Sequence, residues 1–448
     1  MWALLRNGRV IDPGQGIDRT ADVLVQDGRI AAISSTPLSR SILPDKDGLG
    51  EVYDCKGLVV APGFIDMHVH LREPGYEHKE TIRTGAQAAA AGGFTTVLGM
   101  PNTKPAVDSR AVVEYILNEG RNADAHVLTS CAATKSSEAI PQAQDEMSEI
   151  GDMVEAGAVA VSDDAFPIQS ADLMRRVMEY SRMFDVPVLA HCEDKTMTRD
   201  AAMNEGFTCT MLGLRPWPRQ AEDFMIWRNI LLADLAKCRL HIQHVTTAGA
   251  VEAVRWAKSR GIGVTCETCP QYFSLTDEAL AHYDTNAKCN PPLRTAADVE
   301  AIKQGLADGA IDAIATDHAP HAREDKEVEF QDAAFGMVGL ETAFALVMTN
   351  LVKPGVITLN EAISRMTVAP ARVLGINAGT LAEGAVADVT VLDPGAAVVV
   401  RSSEFRSKGR NTPFEGMELT GRPVATFLSG RMVYGTLKAE TQAESLRP

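Results

Sequence analysis

The sequence lacks an apolar run as long as a membrane span, which needs about 20 residues. The opening stretch MWALLRNG turns polar too early for a secretory signal peptide. Basic residues are in deficit, with 43 Lys and Arg against 59 Asp and Glu and a formal net charge of −16. A surface this acidic repels phosphate backbones and anionic lipids. We therefore expect a cytoplasmic protein that binds neither nucleic acids nor membranes.

Cysteine is also scarce, with eight residues scattered over 448. Such spacing does not form a disulfide framework, so we expect reduced and buried thiols. One CxxC motif joins Cys266 and Cys269. It has no second pair at zinc-ribbon spacing, which disfavours a structural metal or redox site there.

The middle of the chain alternates strand-like apolar runs with helix-like segments such as 80–91, 172–184 and 248–259. Eight units of strand and helix are the pattern of an α/β protein with a (β/α)8 TIM barrel. The predicted barrel strands are residues 64–71, 95–99, 126–131, 159–162, 187–191, 240–245, 263–267 and 313–316.

Both ends of the chain have a different pattern. They contain short strand-like segments in which apolar and polar residues alternate, separated by turns such as Pro13-Gly14 and Asp27-Gly28. The simplest arrangement is one small β-sandwich domain assembled from the two termini. We therefore predict a composite β domain from residues 1–60 and 375–448, and a barrel from 61–374.

A barrel enzyme carries its chemistry at the C-terminal ends of its strands, and five predicted strands end in metal-binding residue types. His68 and His70 are two residues apart, so they face the same side of the first strand. The donor set is His68, His70, Asp163 or Asp164, His191, His244 and Asp317. Four imidazoles and two carboxylates suit zinc, and six donors predict two metals that share a carboxylate or a hydroxide.

Each of these residues has a plainer interpretation when it is taken alone. A histidine pair on a strand can be structural, Asp164 beside Asp163 can cap a turn, and a lone histidine can be a satisfied core residue. His241 lies below His244 on the same strand, so we favour His244 as the residue nearer the mouth. The joint occurrence at successive strand ends favours the metal site.

Several ordered motifs surround these residues. Residues 62–75 have the sequence PGFIDMHVHLREPG, and residues 315–321 have ATDHAPH. Shorter motifs are MPNT at 100–103, NPPLR at 290–294 and KGRNTPF at 408–414. Together they resemble the class I bacterial dihydroorotases of the amidohydrolase superfamily, over almost the whole chain. The resemblance implies reversible hydrolysis of (S)-dihydroorotate to N-carbamoyl-L-aspartate in de novo pyrimidine (UMP) biosynthesis.

The resemblance also implies a ligand set for zinc. The wider superfamily commonly uses a carboxylated lysine on the fourth strand, whereas residues 161–165 here are VSDDA, similar to the branch that uses an aspartate. The second aspartate of that pair bridges the metals, which assigns the role to Asp164, although Ala165 replaces a frequent glycine. The implied zinc ligands are His68, His70, Asp164, His191, His244 and Asp317, with two ions per subunit bridged by Asp164 and hydroxide.

For the reaction, we expect metal-activated hydroxide to attack the ring carbonyl, with Asp317 as general base and then general acid; the alternative role for Asp317 is ligand only. Arg72 suits a bidentate contact with the substrate carboxylate, and its alternative is a surface ion pair with Glu73 or Glu77. Asn102 can add an amide donor, and the resemblance adds further contacts. The predicted substrate-binding set is His70, Leu71, Arg72, Asn102, Asn290, His321, Phe335 and Gly336.

Three alternatives stay open. Residues 269–272, CPQY, look more like the hydantoinase branch, so a hydantoinase, dihydropyrimidinase or allantoinase is the main competing function. A non-catalytic paralogue that partners aspartate transcarbamoylase is the second. The charged segment 322–334 is either a lid or an ordinary solvated loop. Among partners we expect a homo-oligomer, as a dimer, and a possible complex of the active enzyme with aspartate transcarbamoylase.

Overall fold

The computed structural model describes residues 2–36, 38, 50–135, 146–435 and 437–439. Its strands, in chain order, are β1 (Trp2–Asp12), β2 (Ile17–Gln26), β3 (Arg29–Ser34), β4 (Gly50–Asp54), β5 (Val59–Pro62), β6 (Phe64–Val69), β7 (Phe94–Gly99), β8 (His126–Ala132), β9 (Ala160–Ser162), β10 (Val188–Ala190), β11 (Met203–Asn204), β12 (Pro216–Trp217), β13 (Leu240–Ile242), β14 (Val264–Thr268), β15 (Ala313–Ile314), β16 (Val389–Val399), β17 (Glu418–Leu428) and β18 (Arg431–Gly435).

The helices of the same residues are α1 (Ile82–Ala91), α2 (Arg110–Gly120), α3 (Ile150–Glu155), α4 (Ala171–Arg182), α5 (Phe207–Leu212), α6 (Gln220–Ala236), α7 (Ala248–Ser259), α8 (Pro270–Ser274), α9 (Ala296–Asp308), α10 (Arg323–Lys326), α11 (Ala343–Val347), α12 (Leu359–Met366) and α13 (Val368–Leu374). Short 3-10 turns lie at Asp277–Leu280, Thr285–Ala287 and Ser402–Glu404, and a π-helical turn follows α11 at Met348–Val352.

Eight parallel strands form the barrel in the order β6, β7, β8, β9, β10, β13, β14 and β15. The first and last strands meet through the backbone, because the N–H of His70 donates to the carbonyl of His318 at 2.8 Å. The Asp66 carboxylate also accepts from the N–H of Thr316 at 3.2 Å. The predicted barrel and its eight strand positions are therefore confirmed.

The barrel helices form because their sequences combine caps with apolar faces. Thr247 caps α7 by accepting from the N–H of Ala250, and the helix spans the predicted residues 248–259. Ser170 caps α4 in the same way, through the N–H of Leu173. Both helices bury apolar side chains against the strands, in one core cluster that surrounds the barrel.

Strands from both chain ends form a second sheet, with the order β18, β17, β16, β5, β1, β2 and β3, and with β4 paired to β1. The two termini join where β16 runs antiparallel to β5, with Val389 opposite Pro62. The sheet has its own apolar cluster, which includes Val10, Val60 and Phe427. A β domain built from both termini is thus present, as this mixed sheet.

The domain bounds of 1–60 with 375–448 and 61–374 stay a prediction. β5 continues to Pro62, slightly beyond the first of these bounds, and α13 ends at Leu374. Residues 39–49 and 440–448, which the prediction assigned to the β domain, lie outside the described residues. Among the residues that are described, no helix has the length and apolarity that crossing a membrane requires.

Candidate metal centre and active site

Six side chains from five strand ends converge at the C-terminal mouth of the barrel. Nε2 of His70 lies 3.1 Å from Oδ1 of Asp317. Nε2 of His68 lies 3.5 Å from the same oxygen and 3.7 Å from Oδ1 of Asp164. All six are buried, and they are His68, His70, Asp164, His191, His244 and Asp317. The structure therefore brings together all six residues of the ligand set that the resemblance implies.

Asp164 lies between two parts of this cluster. Its Oδ1 is 3.2 Å from Nδ1 of His191 and 3.7 Å from Nε2 of His244. Its Oδ2 is 3.6 Å from Nε2 of His70. The two oxygens of Asp164 thus lie near histidines that follow three other strands of the barrel.

Asp163, the other member of the pair, faces away from the cluster. Its Oδ1 accepts from the N–H of His191 and its Oδ2 from the N–H of Ile168, both at 2.9 Å. Both oxygens are thus engaged with backbone donors. Asp163 supports the loop that carries Asp164, while Asp164 faces the other donors.

The donor set fits divalent metal ions. Nε2 of His68 and Oδ2 of Asp164 are buried and have no hydrogen-bond partner. A buried polar atom without a partner is costly, and a cation between these atoms would satisfy both. Two groups of three have ligand atoms within 4.8 Å of one another: His68, Asp164 and His244, and His68, His70 and Asp317. Imidazole and carboxylate donors at such spacing suit zinc.

The electrostatics of the cluster also favour a cation. Burial opposes charge on His68, but Asp317, Glu267 and Asp164 outweigh it and raise its pKa to about 10. Burial likewise opposes ionisation of Asp164, yet its hydrogen bonds to His191 and its neighbours hold its pKa well below the usual range. Asp164 is thus ionised in a buried place, where a positive ion is strongly attracted.

The backbone leaves the extended conformation where several of these side chains begin. His244 has φ of 34°, Asp317 has φ of 49° and Arg72 has φ of 63°, all in the left-handed region. Non-glycine residues adopt this region at a cost of about 1–3 kcal/mol, and they cluster at functional sites. This turn of the chain explains why β13 and β15 end earlier than the sequence predicts.

Comparisons with known proteins match this site and this fold. The Dihydro-orotase-like family model matches residues 57–250, and the Amidohydrolase family model matches residues 234–434. A dihydroorotase of Syntrophus aciditrophicus is 50% identical over 97% of this chain and 99% of its own length. A dihydroorotase of Pelotomaculum thermopropionicum is also 50% identical, over 97% of this chain and 98% of its own.

The chain belongs to the dihydroorotase family.

Among solved structures, an L-hydantoinase (dihydropyrimidinase) from Arthrobacter aurescens superposes with a TM-score of 0.85 at 28% identity, covering 98% of this chain and 97% of its own. A dihydropyrimidinase from Brevibacillus agri has a TM-score of 0.81 at 23% identity over 97% and 95% of the two chains. The second likeness is one of fold alone. Membership of the dihydroorotase family therefore rests on the more similar sequences, and the family is one of hydrolytic amidohydrolases.

Two buried carboxylates behind the histidines were missed by the sequence reasoning. Glu267 of β14 places Oε1 2.7 Å from Nδ1 of His68, and Oε2 3.3 Å from Nε2 of His241. Glu193 places Oε2 3.2 Å from Nε2 of His191. Carboxylates in this position orient metal-binding imidazoles and raise their basicity. Its position at the end of the predicted seventh strand is the signal in the sequence that points to Glu267.

Cys266 and Cys269 of that CxxC are both buried and free. Burial raises the pKa of the Cys266 thiol beyond its ordinary range, and does the same for Cys269. All eight cysteines are free and buried, as expected for reduced thiols.

The predicted substrate contacts lie around the same mouth. Nη2 of Arg72 is 3.3 Å from Nε2 of His321, and its Nε donates to the carbonyl of Pro320 at 3.2 Å. The same His321 nitrogen lies 2.8 Å from the carbonyl oxygen of Phe335. Arg72 is thus held by the loop after the eighth strand rather than by the surface ion pair that was the alternative.

The two predicted amides lie on either side of the donor cluster. Oδ1 of Asn102 is 2.9 Å from Nδ1 of His70. Nδ2 of Asn290 donates to Oε2 of Glu193 at 3.3 Å, while its Oδ1 is buried without a partner. Leu71 is buried beneath the mouth, 3% exposed. The unpartnered Oδ1 of Asn290 can accept a hydrogen bond from an N–H group of a ligand.

The segment that the sequence left open as lid or loop contains α10 and is anchored by two buried lysines. Nζ of Lys326 donates to the carbonyls of Ala334 and Gly336, at 2.7 and 3.0 Å. Nζ of Lys288 donates to the carbonyl of Phe330 at 2.7 Å. Burial lowers the pKa of both lysines to about 8. These contacts fix the backbone of Gly336 beside His321.

Proposed function

We propose that this protein catalyses the reversible hydrolysis of (S)-dihydroorotate to N-carbamoyl-L-aspartate, a step of de novo pyrimidine synthesis. The proposal rests on the position of the Arg72 guanidinium. It lies beside the six-donor cluster and contacts Pro320 and His321, in the loop that follows Asp317. A fixed cation next to a hydrolytic centre suits a cyclic substrate that bears a carboxylate. Dihydroorotate has both the cyclic amide bond and the carboxylate.

The six donors would hold zinc, as two ions with Asp164 between them. His68, His70 and Asp317 would serve one ion, and His191 with His244 the other. When bound, zinc supplies water activated near neutral pH and a Lewis acid for the carbonyl oxygen. The support is the pair of buried unpartnered atoms on His68 and Asp164.

Asp317 is the proposed proton carrier. Its carboxylate lies at the rim of the cluster, with Oδ1 3.1 Å from Nε2 of His70. In hydrolysis it takes one proton from the attacking water as the C–O bond forms. It returns that proton to the ring nitrogen as the C–N bond breaks, so the carboxylate ends as it began. The reverse reaction follows the same path with the proton moving the other way.

The substrate carboxylate would be bound by Arg72 with Asn102, His321 and Asn290 around it. The fork of Arg72 offers paired N–H groups, and Asn102 offers an amide. Backbone groups of Phe335 and Gly336 would close the site, because Lys288 and Lys326 hold that segment in place.

A panel of substrates tests the proposal. Dihydroorotate, hydantoin and allantoin should be assayed with the same zinc-loaded enzyme, and we expect turnover of dihydroorotate to dominate. Arg72→Ala should raise KM for dihydroorotate by about 10- to 100-fold, since a charged hydrogen bond of roughly 1.5–3 kcal/mol is lost. Its zinc content should stay at the wild-type value. Turnover of only the uncharged rings would refute the substrate, and equal loss of zinc would make Arg72 structural.

The non-catalytic alternative is tested by metal analysis of the purified protein, which would contain no zinc and have no activity with any ring in that case. Assembly with aspartate transcarbamoylase, and a cytoplasmic location, stay predictions of the sequence.

A further inference from the structure

Residues 407–411 overlap the KGRNTPF motif at 408–414 and lie outside the metal-donor cluster. In the chain they fall between β16 and β17, two strands of the sheet that the chain ends build. They nevertheless contact the mouth of the barrel, since Asn411 forms hydrogen bonds with the loop that follows Asp317. This 407–411 segment therefore brings the C-terminal part of the chain to the active site.

The side-chain amide of Asn411 is engaged entirely with backbone groups. Its Oδ1 accepts from the N–H of His321 at 3.1 Å. Its Nδ2 donates to the carbonyl of Ala319 at 3.0 Å and to the carbonyl of Gly336 at 3.1 Å. Asn411 is 3% exposed, so water does not compete for these bonds. The three bonds join the loop after the eighth barrel strand to the segment that carries Gly336.

The backbone of the 407–411 segment packs closely against both of these regions. The N–H of Val338 donates to the carbonyl of Asn411 at 3.0 Å. A Cβ added at Gly409 would lie 2.6 Å from Cγ1 of Val338 and 2.7 Å from Cβ of Pro320. The backbone of Gly409 lies outside the left-handed region, so it is the close approach that requires a glycine here. The segment therefore cannot shift without separating from both regions.

Two carboxylates hold the other end of the 407–411 segment. Glu80 is completely buried, accepts from the hydroxyl of Ser407, and accepts from the N–H of Lys408 at 3.2 Å. Glu341 accepts from the N–H of Ser407 at 3.1 Å. Hydrogen bonds to charged acceptors are stronger than neutral ones. The segment is thus anchored independently of the loop that Asn411 contacts.

We propose that Asn411 is a positioning residue, which holds His321 and the Phe335–Gly336 backbone at the spacing that substrate binding requires. This role rests on the proposed function, which assigns these groups to the substrate. Nε2 of His321 lies 2.8 Å from the carbonyl oxygen of Phe335, so the two groups already meet. Asn411 binds both sides of this contact, and its amide therefore sets where the imidazole and the Gly336 backbone lie relative to Arg72.

Asp317 is held by contacts that do not involve Asn411. The next residue, His318, accepts from the N–H of His70 through its carbonyl at 2.8 Å. Nδ1 of His318 accepts from the N–H of Gly339 at 3.2 Å. Removal of the Asn411 amide should therefore release the groups that bind substrate and leave the metal donors in place. Such a change weakens substrate binding while zinc content and kcat are retained.

Steady-state kinetics of the zinc-loaded, full-length enzyme test this separation. Asn411→Ala should raise KM for dihydroorotate by about 10- to 100-fold, the loss expected when hydrogen bonds to a charged substrate are misplaced, with kcat within about 3-fold of wild type. Gly409→Ala should have the same effect, because it displaces the segment without removing the amide. Asn350→Ala is the matched control, since Nδ2 of Asn350 also donates to two oxygens, Oγ of Ser274 at 3.0 Å and the carbonyl of Leu346 at 3.1 Å. It should leave KM unchanged.

Hydrogen–deuterium exchange without substrate gives a second measurement that does not depend on turnover. The N–H of His321 is bonded to Oδ1 of Asn411, so its exchange reports the contact directly. Asn411→Ala should speed exchange in peptides that cover residues 319–322 and 335–338, whereas Asn350→Ala should not.

The two measurements separate the possible failures. Unchanged exchange in residues 319–322, an unchanged KM, or a loss of zinc and kcat that equals the effect on KM would overturn the positioning role of Asn411. Faster exchange in Asn411→Ala together with a wild type that does not hydrolyse dihydroorotate would support that role and refute the proposed substrate instead.

Discussion

Replacing Glu267 by glutamine should weaken zinc binding without unfolding the protein. Glu267, His68 and His241 are all completely buried, and the carboxylate contacts Nδ1 of His68 at 2.7 Å. Burial opposes its ionisation, but His241 and His68 hold its pKa down at about 2. The carboxylate is therefore charged and accepts the Nδ1–H of His68, which directs Nε2 toward Asp164 and Asp317.

Glutamine has the same shape and can keep both hydrogen bonds, with its oxygen toward His68 and its amide toward His241. What it removes is the negative charge that raises the basicity of His68. Loss of such a partner weakens metal affinity by about 10- to 100-fold. That range corresponds to about 1.4–2.7 kcal/mol.

Competition with a fluorescent zinc chelator measures this change directly, without reference to turnover. The matched control is Asp388→Asn, because Asp388 forms an imidazole–carboxylate pair with His126 at 3.0 Å, on the first residue of β8 and so at the other end of the barrel. It should leave zinc affinity unchanged. An unchanged zinc Kd in Glu267→Gln, or an equal loss in Asp388→Asn, would refute the orienting role of Glu267.

Three further outcomes are expected. A strong zinc chelator should abolish activity and lower the melting temperature, because it leaves the buried carboxylates of Asp164 and Asp317 uncompensated, and added zinc should restore both. Asp317→Asn should reduce kcat by at least about 100-fold, the contribution of a general acid–base, and a retained circular dichroism spectrum with near-normal kcat would disprove that role. Gly63→Ala should destabilise the fold by about 1–3 kcal/mol in urea unfolding, since its Cβ would lie 2.1 Å from Oγ1 of Thr95. Gly263→Ala, whose Cβ would meet only the carbonyl of Cys238 at 3.5 Å, serves as its control.

The barrel was predictable because each strand and helix shows its own hydrophobic period. The α7 prediction agrees with the observed bounds, since a capping threonine and an apolar stripe define that helix locally. The last strand was less predictable. β15 covers only Ala313–Ile314 because the chain turns toward the site, and Asp317 adopts a positive φ that no propensity encodes.

The metal donors were predictable because a barrel enzyme carries its chemistry at the C-terminal ends of its strands. Asp163 and Asp164 are equivalent in sequence terms, and only the resemblance favoured Asp164. The coordinates separate them, because backbone N–H groups of His191 and Ile168 engage both oxygens of Asp163. Likewise, Arg72 had two interpretations from the sequence, and its contacts with Pro320 and His321 disfavour the alternative, a surface ion pair.

The sequence by itself determined the fold class and the nature of the metal donors, because hydrophobic period and residue type at strand ends are local properties. Only the tertiary structure decided which groups support those donors. His68 and Glu267 are 199 residues apart in the chain, and they meet because closing the barrel brings the first and seventh strands across one core.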